Sequence, residues 1–170
     1  MARRLEANPW IESAVVTRHL PGEIDIVIRE RAAVARIAET GGRFQLVAGD
    51  GAMLGTHGPS ANGVPILRPA NRTADNVAPA ATLSGMKAAL ATVSALPSTV
   101  RTQVSTATER PDGSVILRLD RGATVEFGGE DQAAEKGRVL QALLEWSAAH
   151  GVTPRTINVE TPTAPAMTHA

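Results

Sequence analysis

Along the hydrophobic and polar pattern of the chain, isoleucine recurs at every second position at Ile24, Ile26 and Ile28, alternating with Asp25, Val27 and Arg29. A period of two puts the three isoleucines on one face of a strand. The preceding run, Ser13 to His19, is rich in β-branched residues, and Leu20-Pro21-Gly22-Glu23 between them is turn chemistry. The pattern predicts a hairpin whose second strand runs on from Ile24 to Ile37 and so ties the hairpin to the next sheet. Upstream, Pro9 pushes Asn8 out of the helical region and has no N–H, so any helix through Leu5 ends there.

Thr40-Gly41-Gly42-Arg43 breaks the pattern. Phe44 to Ala48 reads as a strand, Gly49-Asp50-Gly51 as a hairpin turn, and Ala52-Met53-Leu54 as its return. A polar loop, Gly55 to Gly63, leads to a short apolar strand, Val64 to Leu67, and then to a Pro-, Ala- and Asn-rich stretch, Arg68 to Pro79, read as a mobile loop. Leu83, Met86, Leu90, Val93 and Leu96 recur at three and four, which is an amphipathic helix stopped by Pro97. Three strands follow, Val100 to Thr108, Val115 to Leu119 and Ala123 to Phe127, with turns at Pro111-Asp112-Gly113-Ser114 and Asp120-Arg121-Gly122. Asp131 to Ala149 is the longest helix. Asp131 is its expected cap, Glu135 suits its first turn, and His150-Gly151 ends it. Thr156 to Glu160 is the final strand, with Ile157 and Val159 on one face. Because a crossover helix precedes it, it is expected away from its predecessor, at or near a sheet edge. Thr161 to Ala170, with Pro162 and Pro165, reads as a loose tail.

Composition narrows the function classes. The 170 residues suffice for one or two small domains. Only 2% are aromatic and there is no Tyr, so the core is aliphatic. Net charge is zero, which argues against non-specific nucleic-acid binding. The absence of cysteine removes disulfides, thiolate metal sites and cysteine nucleophiles. No apolar run approaches 18 residues, and the charged Met1-Ala-Arg-Arg start is not followed by the apolar stretch of a signal peptide.

No catalytic constellation is legible. His19, His57, His150 and His169 lack ligand spacing, and no nucleophile elbow, phosphate loop or dinucleotide fingerprint is present. Asp50 is a turn residue, since a calcium loop needs further acidic oxygens nearby. Glu30-Arg31 reads as a solvated strand face, with a domain-junction contact as the alternative. Trp10 reads as a core anchor beneath the hairpin. Neither an enzyme nor a cofactor or metal site is expected.

The ordered set Leu5, Pro9, Trp10, Ile11, Pro21, Ile26, Ile28, Glu30, Arg31, Val34 and Ala35 resembles the second half of a POTRA domain, in particular that of the FtsQ/DivIB family of bacterial cell-division proteins. Phe44 to Asp50, Val64 to Leu67, Gly128 to Lys136 (Gly-x-x-x-x-x-x-x-Lys) and Ile157-Asn-Val-Glu-Thr-Pro-Thr-Ala-Pro-Ala166 extend the resemblance to most of the chain, the last segment being similar to actinobacterial members. It implies an α+β fold: residues 1–36 as the C-terminal half of a POTRA domain, 37–162 as an FtsQ-type β domain with two helices packed on a mixed sheet, and 163–170 as a disordered tail. The match starts inside the second POTRA helix, which implies a longer natural protein with a membrane anchor upstream, lying outside the cytoplasm at the division septum. The implied function is a non-enzymatic scaffold that recruits FtsB/DivIC-like and FtsL-like proteins by strand addition. The implied contacts are Ile157, Asn158, Val159, Glu160, Thr161, Ala164 and Ala166. Some members carry an aromatic where Thr161 stands, a departure that weakens the expected anchor. The alternative is a polypeptide-binding POTRA module of a secretion or outer-membrane assembly protein.

Overall fold

The computed structural model describes residues 1–58, 63–69 and 83–169. A short helix, α1 (Ala2–Leu5), leads into strands β1 (Ile11–His19) and β2 (Glu23–Glu30), which pair with each other alone. The remaining strands are β3 (Ala33–Ala38), β4 (Phe44–Ala48), β5 (Met53–His57), β6 (Ile66–Pro69), β7 (Val104–Glu109), β8 (Val115–Leu119), β9 (Thr124–Gly128), β10 (Pro154–Asn158) and β11 (Ala166–His169). They form one nine-stranded sheet in the order β11-β10-β9-β8-β7-β6-β3-β4-β5. The β3/β6, β6/β7 and β9/β10 pairs are parallel and the rest antiparallel. Helices α2 (Lys87–Ala95), α3 (Ser98–Arg101) and α4 (Ala133–Ala149) cover one face.

Period-two burial explains the layering. Ala35 and Ile37, Leu117 and Leu119, Val125 and Phe127, and Ile157 and Val159 turn to the helices, meeting Met86, Leu90, Val93 and Leu140. On β4, Val47 joins this core, while Leu46 and Ala48 turn the other way and close a small second cluster with Leu54, Ala33, Ala52 and Val64. Gly137 lets α4 approach the corner before α3, since a Cβ there would stand 3.0 Å from Pro97 Cδ.

The structure departs from the sequence-based expectations in several places. The long second strand is two strands, because the chain changes partner at Arg31-Ala32: β2 pairs with β1, β3 with β4 and β6. The hairpin therefore does not join the large sheet. Val100 lies in α3, whose first turn is nucleated by the Pro97 carbonyl accepting from Val100 and Arg101, so β7 starts only at Val104. Asp131 does not cap α4. Gln132, at φ +55, precedes the helix, and its carbonyl accepts from Glu135 and Lys136. The final strand β10 lies directly beside its predecessor β9, in parallel, because the α4 crossover returns the chain to the same sheet edge. The tail is not loose: residues 166–169 form β11, antiparallel to β10. In addition, Arg68 and Pro69 belong to β6, and the rest of the expected mobile loop, 70–79, lies outside the described residues.

The Pro-Trp corner is a junction rather than a core. Arg31 Nη1 donates to the carbonyls of Ile11 (2.6 Å) and Pro9 (3.1 Å), and its Nε donates to Asp50 Oδ2 at 2.7 Å in the β4–β5 turn. Its backbone N–H donates to the Trp10 carbonyl. Trp10, 37% exposed, stands edge-on to His57 of β5. One guanidinium thus joins the hairpin to the rim of the large sheet. Asp50 also accepts from the Ala52 N–H, and the Arg31 hydrogen bond, ahead of that one, holds its carboxyl below the ordinary value.

In β1 and β2 only Ala14 is buried, and Ile24, Ile26 and Ile28 are exposed. A lone two-stranded sheet is marginal in water. Amide exchange is expected to show residues 5–22 less protected than 115–145. Arg31→Ala removes three side-chain hydrogen bonds and should speed exchange in the hairpin further while leaving 115–145 unchanged; equal slowing or speeding of both regions would contradict this. Because the folded pKa of Asp50 is lowered, the stabilisation it adds is present above the unfolded carboxylate range and is lost as pH falls through the lowered value. The pair is solvent-accessible, so its contribution is below about 1 kcal/mol. Hairpin amide shifts followed by NMR during an acid titration should move at that point, and should not do so in Asp50→Asn.

Candidate functional site

The C-terminal rim of the sheet is built from β9, β10 and β11. Val159 N–H donates to the Glu126 carbonyl at 2.9 Å. Backbone groups alternate direction along a strand, so odd-numbered residues of β10 face β9 and even-numbered ones face β11. The pairs Thr156 with Thr168 and Asn158 with Ala166 therefore exchange the ladder hydrogen bonds. By the same alternation the N–H and C=O of Met167 point away from β10. Among the described residues no strand pairs with the outer side of β11.

This changes where the expected contact residues stand. Ile157 and Val159 are 0% exposed and belong to the core beneath α4. Asn158 is half-buried: its Nδ2 donates to Glu126 Oε2 at 2.9 Å and its Oδ1 accepts from the Glu160 N–H. Glu160 is exposed and folds against Gly128. Thr161 and Ala164 are exposed and close a turn, the Ala164 N–H donating to the Thr161 carbonyl. Ala166 is exposed on β11. Strand β10 is hydrogen-bonded on both sides, so it cannot be the free edge. Met167 and Thr168, which carry the rim, went unrecognised in the sequence. Ala166-Met167-Thr168-His169 has no period-two alternation that would have marked it as a strand.

Two contacts fix this rim. Lys136, buried in the first turn of α4, reaches back to donate to the Gly129 carbonyl at 2.9 Å, its ammonium 5.6 Å from the Phe127 ring centre. That is the physical content of the Gly-to-Lys spacing. Gly128 is at φ +72, and a Cβ there would lie 3.0 Å from Glu160 Cγ. On α4, Trp146 is 48% exposed, with its ring stacked on His150 at 4.4 Å.

Among the described residues no three His, Asp or Glu side chains stand close enough to hold a metal ion. Asp112, its carboxyl lowered by the Ser114 hydroxyl and N–H, belongs to the β7–β8 turn, away from the rim. No described helix is long and apolar enough to cross a membrane.

A two-stranded unit followed by a nine-stranded mixed sheet with helices on one face makes this an α+β protein of two parts. The profile of "Cell division protein FtsQ/DivIB, C-terminal" matches residues 35–158, and that of "POTRA domain, FtsQ-type" matches residues 1–31. The chain is 33% identical to the cell division protein FtsQ of Streptomyces bingchenggensis over 99% of its own length and 62% of that protein's. It is 30% identical to the FtsQ of Streptomyces griseus over 98% of its length and 78% of that protein's. A solved structure, the major extracytoplasmic domain of the DivIB cell-division protein of Geobacillus stearothermophilus, aligns over 71% of this chain and 94% of that one, with 19% identity and a TM-score of 0.48. The chain belongs to the FtsQ/DivIB family of cell-division proteins. It spans about three-fifths of the Streptomyces bingchenggensis relative.

Gly128→Ala puts a side chain into the left-handed region and against Glu160. It should cost about 1–2 kcal/mol and lower Tm by about 2–4 °C for each kcal/mol. Thermal unfolding followed by circular dichroism checks this; an unchanged Tm would show that Glu160 moves aside freely and that the φ carries no cost.

Proposed function

We propose that this chain is the extracytoplasmic portion of a non-enzymatic division scaffold, and that it recruits FtsB/DivIC-like and FtsL-like partners by accepting a strand on the outer edge of β11. The observation that carries this reading is the outward N–H and C=O of Met167 on a rim strand with nothing paired beyond it among the described residues. An exposed strand edge is a template for another chain: main-chain hydrogen bonds supply affinity and alternate side chains supply selectivity. Membership of a cell-division family supports the choice of partner class. The docking residues move outward from the β10 set. Met167 and Thr168 take the place of Ile157 and Val159, whose side chains are in the core. Ala166 stays, and Thr161, Ala164 and Glu160 border it on the turn. In this reading residues 1 to about 36 serve as the membrane-side unit and 37–169 as the recruiting one.

Two substitutions at one position separate backbone from side chain. Met167→Ala keeps the outward N–H; Met167→Pro removes it, and proline is tolerated on edge strands. Binding of a purified extracytoplasmic segment of the FtsB/DivIC-like partner, measured by calorimetry, should be at least about tenfold weaker for Met167→Pro than for Met167→Ala, a loss of about 1.4 kcal/mol. Equal binding by the two variants, both folded by circular dichroism, would place the docking site elsewhere.

A further inference from the structure

We infer that the strand accepted by β11 also packs beneath the outer flank of α4, with Trp146 as its apolar anchor, and that this contact selects a partner segment whose apolar residues recur at every second position. The inference rests on the strand-addition reading above and specifies the partner it fits.

The starting observation is scarcity. The chain has two tryptophans and two phenylalanines. Phe127 is wholly buried, Phe44 lies under the Arg36 guanidinium, and Trp10 meets His57 at the junction. Trp146 is the remaining one, nearly half exposed on a helix whose fold-facing side is complete. Its ring is held in place. His150 stacks on it at 22° between planes, and His150 Nδ1 lies 2.8 Å from the Trp146 carbonyl, which orients the imidazole. An exposed aromatic that is already ordered loses little side-chain entropy on binding.

The direction of that flank follows from helix geometry. Gly137 meets Leu96 and Pro97, so that side of α4 faces the neighbouring helices and the middle of the sheet. At 100° per residue, Val139, Leu143 and Trp146 lie on the opposite side. Ser147, beside them, has its Oγ 3.2 Å from Met167 Sδ, so α4 reaches over β11. The exposed flank is therefore the one beside the free rim.

Sheet alternation then dictates the partner. The Met167 side chain points to the helix layer, where it packs against the core. A strand added about 4.8 Å beyond β11 keeps the same pleat. Its residues in register with Met167 also point to the helix layer and arrive under Leu143 and Trp146. Those in register with Ala166 and Thr168 point to the helix-free face, which carries Thr156, Thr124 and Asn158. The segment that fits is extended, apolar at alternate positions and polar between them. A slip by one residue would put its polar side chains under Trp146.

The test uses the full 170-residue chain and, as probe, the purified partner segment named above, in a form without tryptophan. In Trp10→Phe, Trp146 is the sole tryptophan. Its emission should shift to shorter wavelength on adding the probe, and the Met167 amide should gain exchange protection at the same time. Trp146→Ala should weaken binding at least about tenfold, the range of aromatic interface anchors. A probe that protects the Met167 amide without moving Trp146 emission overturns this inference and leaves strand addition standing. A probe that the parent chain does not bind overturns both. The emission arm needs no change at position 146, so a folding defect in Trp146→Ala would not decide the outcome.

Discussion

The structure depends on burying one aliphatic face of a sheet beneath helices α2, α3 and α4. With so few aromatic residues the core is assembled from small contributions, each fully buried Val, Leu, Ile or Met supplying about 1.5–3 kcal/mol. Phe127, Leu140, Ile157 and Val159 meet at the C-terminal half, and Ala35, Val47, Leu67 and Val93 at the other. Because this face must be continuous, β6 is drawn beside β7, and β3 beside β6, although they come from a separate stretch of chain. The result is one main core beneath the helices, with a small second cluster on the other face at β4 and β5.

The hairpin stands outside that core. It is held at the β4–β5 rim by Arg31 and Trp10, through hydrogen bonds, an ion pair and an edge-on ring contact rather than through burial. Hydrogen bonds to a charged group contribute roughly 1.5–3 kcal/mol each at most, and solvent-exposed ion pairs less. The junction is therefore specific in direction but modest in strength, and the two units differ in stability for that reason.

The two rims of the large sheet have different surroundings. β5 adjoins the hairpin, and β11 ends the opposite side. Eight inter-strand steps of about 4.8 Å set them about 38 Å apart. The proposed strand-accepting rim thus stands at a distance fixed by the sheet, away from the N-terminal unit. Lys136 and Gly128 belong to this arrangement, since they fix the β9–α4 turn and the Glu160 corner from which the chain turns toward β11.

Local pattern by itself determined most of the elements: the Ile24-Ile26-Ile28 alternation, the Gly49-Asp50-Gly51 turn, the stop at Pro97 and the helix ending at His150-Gly151 all stand where sterics and periodicity put them. Those signals are local, so they survive without knowledge of partners. What only the tertiary structure decided is pairing. The alternation in residues 24–37 does not mark Arg31 as the point where one strand becomes two, and Glu30-Arg31 reads as a junction only as an alternative, because the Arg31 guanidinium reaches Pro9, Ile11 and Asp50, residues distant in sequence. Nothing in Ala166 to His169 marks a strand, because four residues acquire that conformation only from β10 beside them. The proposed docking edge differs from the expected one for the same reason. Alternation placed Ile157 and Val159 on one face correctly, but whether that face met solvent or helix, and whether β10 had a free edge, depended on α4 returning the chain beside β9 and on a second strand closing outside it.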